Sequence, residues 1–377
     1  MADHASSFSE LVDFVALLRE ADVRAALPYV KLIRRVLRDR QNVIEMYNDR
    51  EFLGRFRFSK RAVVHLLSIL PLAPSPDDRG SPVPPLLQLL VTLRFYGGGT
   101  FQVVTGDLVS ISQPSVSRII ERVTTVIAAT LFPALVKLPD AAQASRVMDE
   151  FYRIAKFPGV TGCMDCTHIR IKSPGGKDAE VFRCRKGYFS FNVQAITGPR
   201  LQFFDLVASW PGSNHDSRIF DNSHARARYE DGEVQGVLLG DMGYACRRYL
   251  MTPLKEPKSS AERRYNNSQK TTRCTIERVF GIWKRRFPCL DMKLQIKTST
   301  SVLVITACAA LHNLSRHLND PIPPDVHPAP AAPPPTATQQ GPAAQPGPPM
   351  PPDEPQQSDT EDGFRARRRI IRDYFSR

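Results

Sequence analysis

The sequence predicts an α/β protein, a mixed sheet with helices packed against it, preceded by an all-helical region. Three observations carry this. Up to about Thr130 apolar residues recur at three- and four-residue spacing. Beyond Val160 short alternating or uniformly apolar runs replace that pattern. Two of those runs, 159–165 and 236–241, end on a carboxylate, Asp165 and Asp241.

Within the helical half, 30–40 is a stripe with Val30, Leu32, Ile33, Val36 and Leu37 on one side. Lys31, Arg34, Arg35, Arg38 and Arg40 face mostly outward, as a phosphate-meeting arm or a solvated helix face. The proline-rich run 74–85 interrupts the pattern. Residues 86–127 have the spacing of a helix-turn-helix unit: one helix over 86–96, a break at Gly97, Gly98 and Gly99, a second over 101–108, and a third from Ser112 or Gln113 to about Val126. Ser112 suits the cap and Pro114 the first turn. Such a third helix offers its N-terminal side chains to the major groove, here Gln113, Ser115, Ser117 and Arg118. A helical bundle without DNA contact has the same pattern.

In the second half, 159–165 and the alternating 167–172 are expected to pair as a hairpin, with further strands at 189–196 and 201–209 joined by a Gly-Pro turn. A helix is predicted over 271–287, with Ile276, Val279, Phe280, Trp283 and Phe287 on one side and Glu277 at its edge. The last helix of this half is predicted over 302–317.

The chain has 377 residues, 51 basic and 38 acidic, a formal charge of +13. Such an excess favours a polyanionic partner. No apolar run approaches the ~20 residues of a membrane span, so no membrane association is expected. The N-terminus, MADHASSFSELVDF, lacks the pattern of a signal peptide. Seven cysteines over this length read as reduced thiols rather than a disulfide framework. Residues 321–362 hold six acids and no Lys or Arg, and 15 of the 32 prolines lie in 321–355, a composition expected to be disordered. Beyond it, 363–377 carries six Arg against one Asp, a tail expected to dock, to bind something acidic, or to remain solvated. The expected divisions are a helical region at 1–73, a helix-turn-helix-like region at 74–150, a catalytic α/β domain at 151–320, a linker at 321–362 and a basic tail at 363–377.

Acids at the ends of buried apolar runs are costly. Two like unit charges ~4 Å apart repel by about 4 kcal/mol at an effective dielectric of 20. A hard divalent cation, Mg²⁺ or Mn²⁺, removes that cost and keeps positions open for water and phosphate. Asp165, Asp241 and Glu277 are therefore the candidate metal cradle and catalytic set. Cys163 and Cys166 have CxxC spacing but no second pair, which argues against zinc. His168, an odd three residues from Asp165, should point to the other face of its strand, and His312 and Asn313 read as a satisfied buried pair in an apolar helix.

The segments GVTGCMDCTHIRIKSP (159–174), FRCRKGYFSFNVQ (182–194), SWPGSNHDSRIFDNS (209–223), LLGDMGYACRRYLMTPL (238–254), AERRYNN (261–267) and TIERVFGIWKRRFPCL (275–290) together resemble the PIF/Harbinger transposase family, and within it the vertebrate transposase-derived nucleases. The resemblance covers roughly residues 30–320. It implies an RNase H-like nuclease core with an Asp-Asp-Glu triad, for which Asp165, Asp241 and Glu277 stand at the motif positions. The 35 residues between Asp241 and Glu277 agree with it. It also implies a further metal-binding acid at Asp216. A divalent metal ion, DNA as substrate, and a Myb/SANT-like partner that supplies DNA recognition and assists nuclear import follow, with the nucleus and cytoplasm as expected locations. Arg183, Arg185, Lys186, Lys284, Arg285 and Arg286 are further phosphate candidates. Arg273 either joins them or merely pairs with Glu277, four residues on. The resemblance leaves three activities open: a domesticated nuclease, a mobile transposase, and a catalytically silent DNA-binding adaptor.

Overall fold

A computed structural model describes residues 43–72, 83–99, 111–324 and 357–376. The basic stripe 30–40 and the middle helix of the expected helix-turn-helix unit lie outside these residues. The N-terminal part is helical, with α1 (Val43–Met46), α2 (Asp49–Phe56), α3 (Lys60–Ile69), α4 (Pro85–Gly98), α5 (Gln113–Leu135) and α6 (Ala141–Ala155). Local chemistry sets their starts. Asn48 and Glu51 form a reciprocal capping box on α2, Ser59 caps α3, and Asp140 caps α6. Helix α4 begins at a proline and is buried along almost its whole length. Helix α5 extends well past the expected Val126, because its stripe of Val116, Ile119, Ile120, Val123, Ile127 and Leu131 continues to a buried end.

The sheet has five strands in the order β3-β2-β1-β4-β5. Strands β1 (Val160–Arg170), β2 (Ser190–Thr197) and β3 (Phe203–Pro211) form an antiparallel meander. Strands β4 (Val237–Leu239) and β5 (Leu250–Met251) add in parallel on the other side of β1. Between β3 and β4 lie two short helices, α7 (Asp216–Asp221) and α8 (His224–Glu230).

The expected hairpin at 159–172 is instead one continuous strand. A two-residue hairpin of the favoured type needs Asn or Asp followed by Gly, and Cys166 stands after Asp165 where that glycine belongs. Asp165 instead pairs with Ala195 and Thr167 with Val193 on β2, which leaves Asp165 in the middle of β1.

Helix α9 (Ser260–Arg286) covers one sheet face, starting on a Ser259/Glu262 capping box eleven residues earlier than the apolar pattern suggested. It buries Ile276, Val279 and Trp283 completely, and the Trp283 ring lies 5.1 Å from that of Phe203. Losing a fully buried Trp side chain costs roughly 3–5 kcal/mol. Helix α10 (Thr298–His317) packs against α5 and β3. Its Asn313 bonds to the N–H and C=O of Phe203 and to Leu135 O, and His312 Nε2 bonds to Leu201 O, so this buried pair serves packing. One contiguous core runs from Phe52 to Phe375.

At the C-terminal end of α9, buried Arg286 donates to Arg57 O, Asp320 and Pro321 O, and Arg57 donates to Pro324 O. The first residues of the expected linker are thus held there. The chain is described again from helix α11 (Gln357–Ile370), which continues as a wider turn to Phe375. This tail seats at the opposite, N-terminal end of α9. Phe375 is buried against Phe157 and Tyr265, Arg264 donates to Phe375 O, and Arg367 donates to Thr252 O just after β5. A Cβ on Gly363 would come within 2.0 Å of Cys246 O, so only glycine lets the helix approach so closely.

All seven cysteines are free thiols, and among the described residues no helix is long and apolar enough to cross a membrane.

Candidate active site

Side chains alternate across a strand, and β1 divides its polar residues accordingly. Cys163 and Asp165 face α9: the Cys163 thiol meets Thr272 O, and Asp165 Oδ2 accepts from Arg273 Nη1 at 2.7 Å. Cys166 and His168 face the other way, Cys166 against the Tyr244 hydroxyl and His168 against Ser190 Oγ. The CxxC pair therefore straddles the sheet and shares no ligand site.

Arg273 organises the α9 face. Its second nitrogen donates to Glu277 Oε1 at 2.6 Å, so one guanidinium joins carboxylates from β1 and α9. Burial opposes its charge, but Asp165, Glu277 and Asp241 together hold its pKa above the ordinary value. Asp241, just beyond β4, accepts from the Gly243 N–H. Burial raises the Asp165 pKa above the usual carboxylate range. The Cys166 N–H and Arg273 oppose that rise, and the charges on Asp241 and Asp216 add to it. Asp165, Asp241 and Glu277 thus all act on one cation, although the first and last lie 112 positions apart in the chain.

Asp216 opens α7 on the face of Cys166 and His168. Asn192 of β2, opposite His168 in the register, donates to Asp216 Oδ1 at 2.8 Å and to Asn214 O. Gly212 makes this approach feasible, since a Cβ there would lie 2.3 Å from Ser190 Oγ. The Asn192 Oδ1 and both amide atoms of buried Gln194 have no hydrogen-bond partner. Burial raises the pKa values of Cys166 and Tyr244, and the Asp216 charge raises both further. The sequence reading passed over Asn192, Gln194 and Tyr244. The alternation Phe191-Asn192-Val193-Gln194 was their signal, with two amides where one face of a buried strand is usually apolar.

The donor chemistry, carboxylate oxygens only, fits a hard divalent cation. In the arrangement described, the Arg273 guanidinium supplies the positive charge between Asp165 and Glu277. Among the described residues no group of three or more His, Cys, Asp or Glu side chains is gathered closely enough to hold a metal ion.

The candidate phosphate-binding residues are scattered. Arg183 is held by Glu180 and Gly187 O and lies over Phe189, whereas its exposed neighbour Arg185 bonds to His215. Lys186 is exposed and close enough to His168 to oppose its protonation. Lys284 donates to His168 O, burial lowers its pKa, and Arg285 is exposed. At the start of α5, Gln113 and Arg118 are exposed, and Ser115 contacts both Ser112 and Arg118. A cleft of about 490 Å³, lined by Ser117, Glu121, Lys172, Lys297 and Thr298, lies between that helix start and the end of β1.

Comparison with known proteins agrees with this frame. Residues 164–313 match the DDE superfamily endonuclease family. The chain is 35% identical over 272 residues to the Bos taurus protein named "Putative nuclease HARBI1", covering 71% of this chain and 78% of that protein. The Homo sapiens protein of the same name is 34% identical over the same shares. The Arabidopsis thaliana "Protein ALP1-like" is 23% identical over 72% of each chain. No solved structure matches. With a mixed five-stranded sheet, flanking helices and an endonuclease-family match across that sheet, the chain belongs to the Harbinger transposase-derived nucleases of the DDE endonuclease superfamily.

Proposed function

We propose that this protein is a divalent-metal-dependent DNA endonuclease that hydrolyses phosphodiester bonds without independent transposition. The observation that carries the reading is that Arg273 bridges Asp165 of β1 and Glu277 of α9, while the charge of Asp241 acts on the same guanidinium. In this reading Asp165, Asp241 and Glu277 hold Mg²⁺ or Mn²⁺, and Asp216, whose charge reaches Asp165, is a further metal-binding acid beside that set. Bound there, such ions supply an activated water and offset charge on the leaving oxygen. The chain's own part is to hold the substrate. Released from its carboxylates, Arg273 faces the scissile phosphate, and Lys284, Arg285, Arg185 and Lys186 meet the backbone on either side, giving affinity without sequence preference. Arg183, Gln113, Ser115 and Arg118 are further DNA contacts. A Myb/SANT-like partner supplies sequence recognition and assists entry into the nucleus, from a distribution between nucleus and cytoplasm.

One observation favours a second reading. The Arg273 salt bridges fill the place of the metal, as they would in a non-catalytic DNA-binding adaptor. Plasmid cleavage in Mg²⁺ or Mn²⁺ separates the two, comparing wild type with Asp165→Asn, Asp241→Asn and Glu277→Gln. Each variant is expected to lose cleavage and the metal-induced rise in melting midpoint. A variant that cuts as fast as wild type removes that residue from the set, and a wild type that neither cuts nor melts higher with metal establishes the adaptor.

A further inference from the structure

The C-terminal helix has two faces with different chemistry. Gly363, Arg367, Ile370, Ile371 and Phe375 turn toward the core, where Phe375 and the Arg367 bonds anchor the helix. Arg365, Arg368, Arg369 and Arg372 are exposed and fall at i, i+3, i+4 and i+7, a single stripe on the other side. None of the four contributes to docking. Their partners are local carboxylates on the same helix: Asp362 for Arg365 at 3.6 Å, and Asp373 for Arg369 at 3.6 Å and Arg372 at 2.8 Å. Among the described residues Arg368 pairs with no carboxylate. Exposed pairs of this kind are weak and screened by salt, so a phosphate oxygen can displace them at little cost. The surface around the docked end is basic as well: Arg264 caps Phe375 O, and exposed Lys156 adjoins Phe157, which packs on Phe375.

We infer that this docked helix is a second DNA surface, on which Arg365, Arg368, Arg369 and Arg372 meet phosphates of a duplex outside the catalytic site; the inference rests on the reading of the chain as a DNA nuclease. A stripe of arginines fixed to a folded body suits a rigid backbone, because guanidinium groups fit phosphate geometry and lose little further freedom on binding. The contact adds affinity and orientation but no sequence preference. Its position at the N-terminal end of α9, about 18 Å along the helix from Glu277 when counted from Tyr265, engages DNA beyond the cleavage point.

The test is fluorescence anisotropy of an end-labelled 30-base-pair duplex in EDTA, so that no strand is cut, titrated with full-length protein over a range of salt concentrations. With all four arginines changed to glutamine, affinity at 0.1 M salt is expected to fall at least tenfold. The dependence of log affinity on log salt should become shallower by about two to four, given a slope of roughly 0.9 per phosphate contact. The pairs Arg365→Gln with Arg372→Gln, and Arg368→Gln with Arg369→Gln, should each take about half of that change, which keeps the test valid if the fourfold variant folds poorly. A control removes the same charge elsewhere on the exposed surface, through Arg61→Gln, Lys137→Gln, Arg146→Gln and Lys177→Gln. It should lose less than about threefold. Unchanged affinity and slope in the tail variants overturn the inference and leave the nuclease reading intact, as does an equal loss in the control. A wild type that fails to bind duplex at all overturns both.

Discussion

If Arg273 stands where a divalent cation belongs, then Arg273→Gln should weaken the metal-free protein and strengthen its response to metal. The arm to Asp165 is 2.7 Å long between side chains only 16% and 20% exposed. It lies between a surface pair, worth at most about 1 kcal/mol, and a fully buried one, whose breakage costs about 3–5 kcal/mol. A loss of about 2 kcal/mol follows. The Glu277 arm adds only a few tenths of a kcal/mol, because Glu277 is 52% exposed. In a domain of this size the loss lowers the melting midpoint by roughly 3–4 °C. The sign with pH is fixed by Asp165. Its folded pKa is already raised by burial, and removing the guanidinium raises it further, so the deficit grows as pH climbs through the carboxylate range and disappears where Asp165 is protonated. In the wild type a metal ion must first displace Arg273. The variant escapes that cost, and about 2 kcal/mol corresponds to an apparent metal affinity roughly 30-fold tighter. Thermal melts at a series of Mg²⁺ concentrations, at pH 5 and pH 8, read all three quantities. A variant that melts like wild type in EDTA and shows the same Mg²⁺ dependence would refute the argument.

Three further outcomes are expected. The Asp205 carboxyl is pushed up to about 6 by burial, and its Oδ2 has no hydrogen-bond partner; stability is therefore lost as pH rises from about 4, where the unfolded carboxyl ionises, to about 6 and stays low above it, and Asp205→Asn should gain up to about 3 kcal/mol near neutrality and nothing below pH 4 in denaturant melts. Arg286→Leu leaves the buried Asp320 carboxylate without its 3.0 Å partner, and an unfolding free energy lowered by about 3–5 kcal/mol in urea titration is the expected result. Gly363→Leu forces a side chain into the Cys246 backbone; limited proteolysis should cut the C-terminal helix at least tenfold faster while the core melts within about 2 °C of wild type, and an unchanged cleavage rate would show that the helix is held by other contacts.

The sequence made the central helix and the Asp241 strand visible because both rest on local pattern. Trp283 and its neighbours recur at helical spacing, and 236–241 is a uniformly apolar run with an acid at its end. The opposite orientation of His168 was equally plain from counting by two. The division at Asp165 misled because an acid in a buried strand resembles a boundary, whereas its cost is offset by Arg273, 108 residues away. Non-local pairing also hid the support of α7 and α8. Buried Arg247 joins Asp221 and Glu230, to which Tyr249 donates as well, and no periodicity announces such a network. The tail's start was masked by composition, since the acids that made 357–362 look like spacer are favourable in the first turns of a helix.

The two ends of the proline-rich segment are held at opposite ends of α9, so the tail docks on a body to which it is covalently joined. From Arg286 to Tyr265 is about 32 Å of helix. The 32 residues between Pro324 and Gln357 can span over ~100 Å at full covalent extension, enough to join the two sites. An effective concentration within one chain, rather than the bulk protein concentration, governs docking. Docking too weak to survive between separate molecules therefore suffices within one chain. A cut anywhere in the tether would turn a permanent neighbour into a dilute ligand.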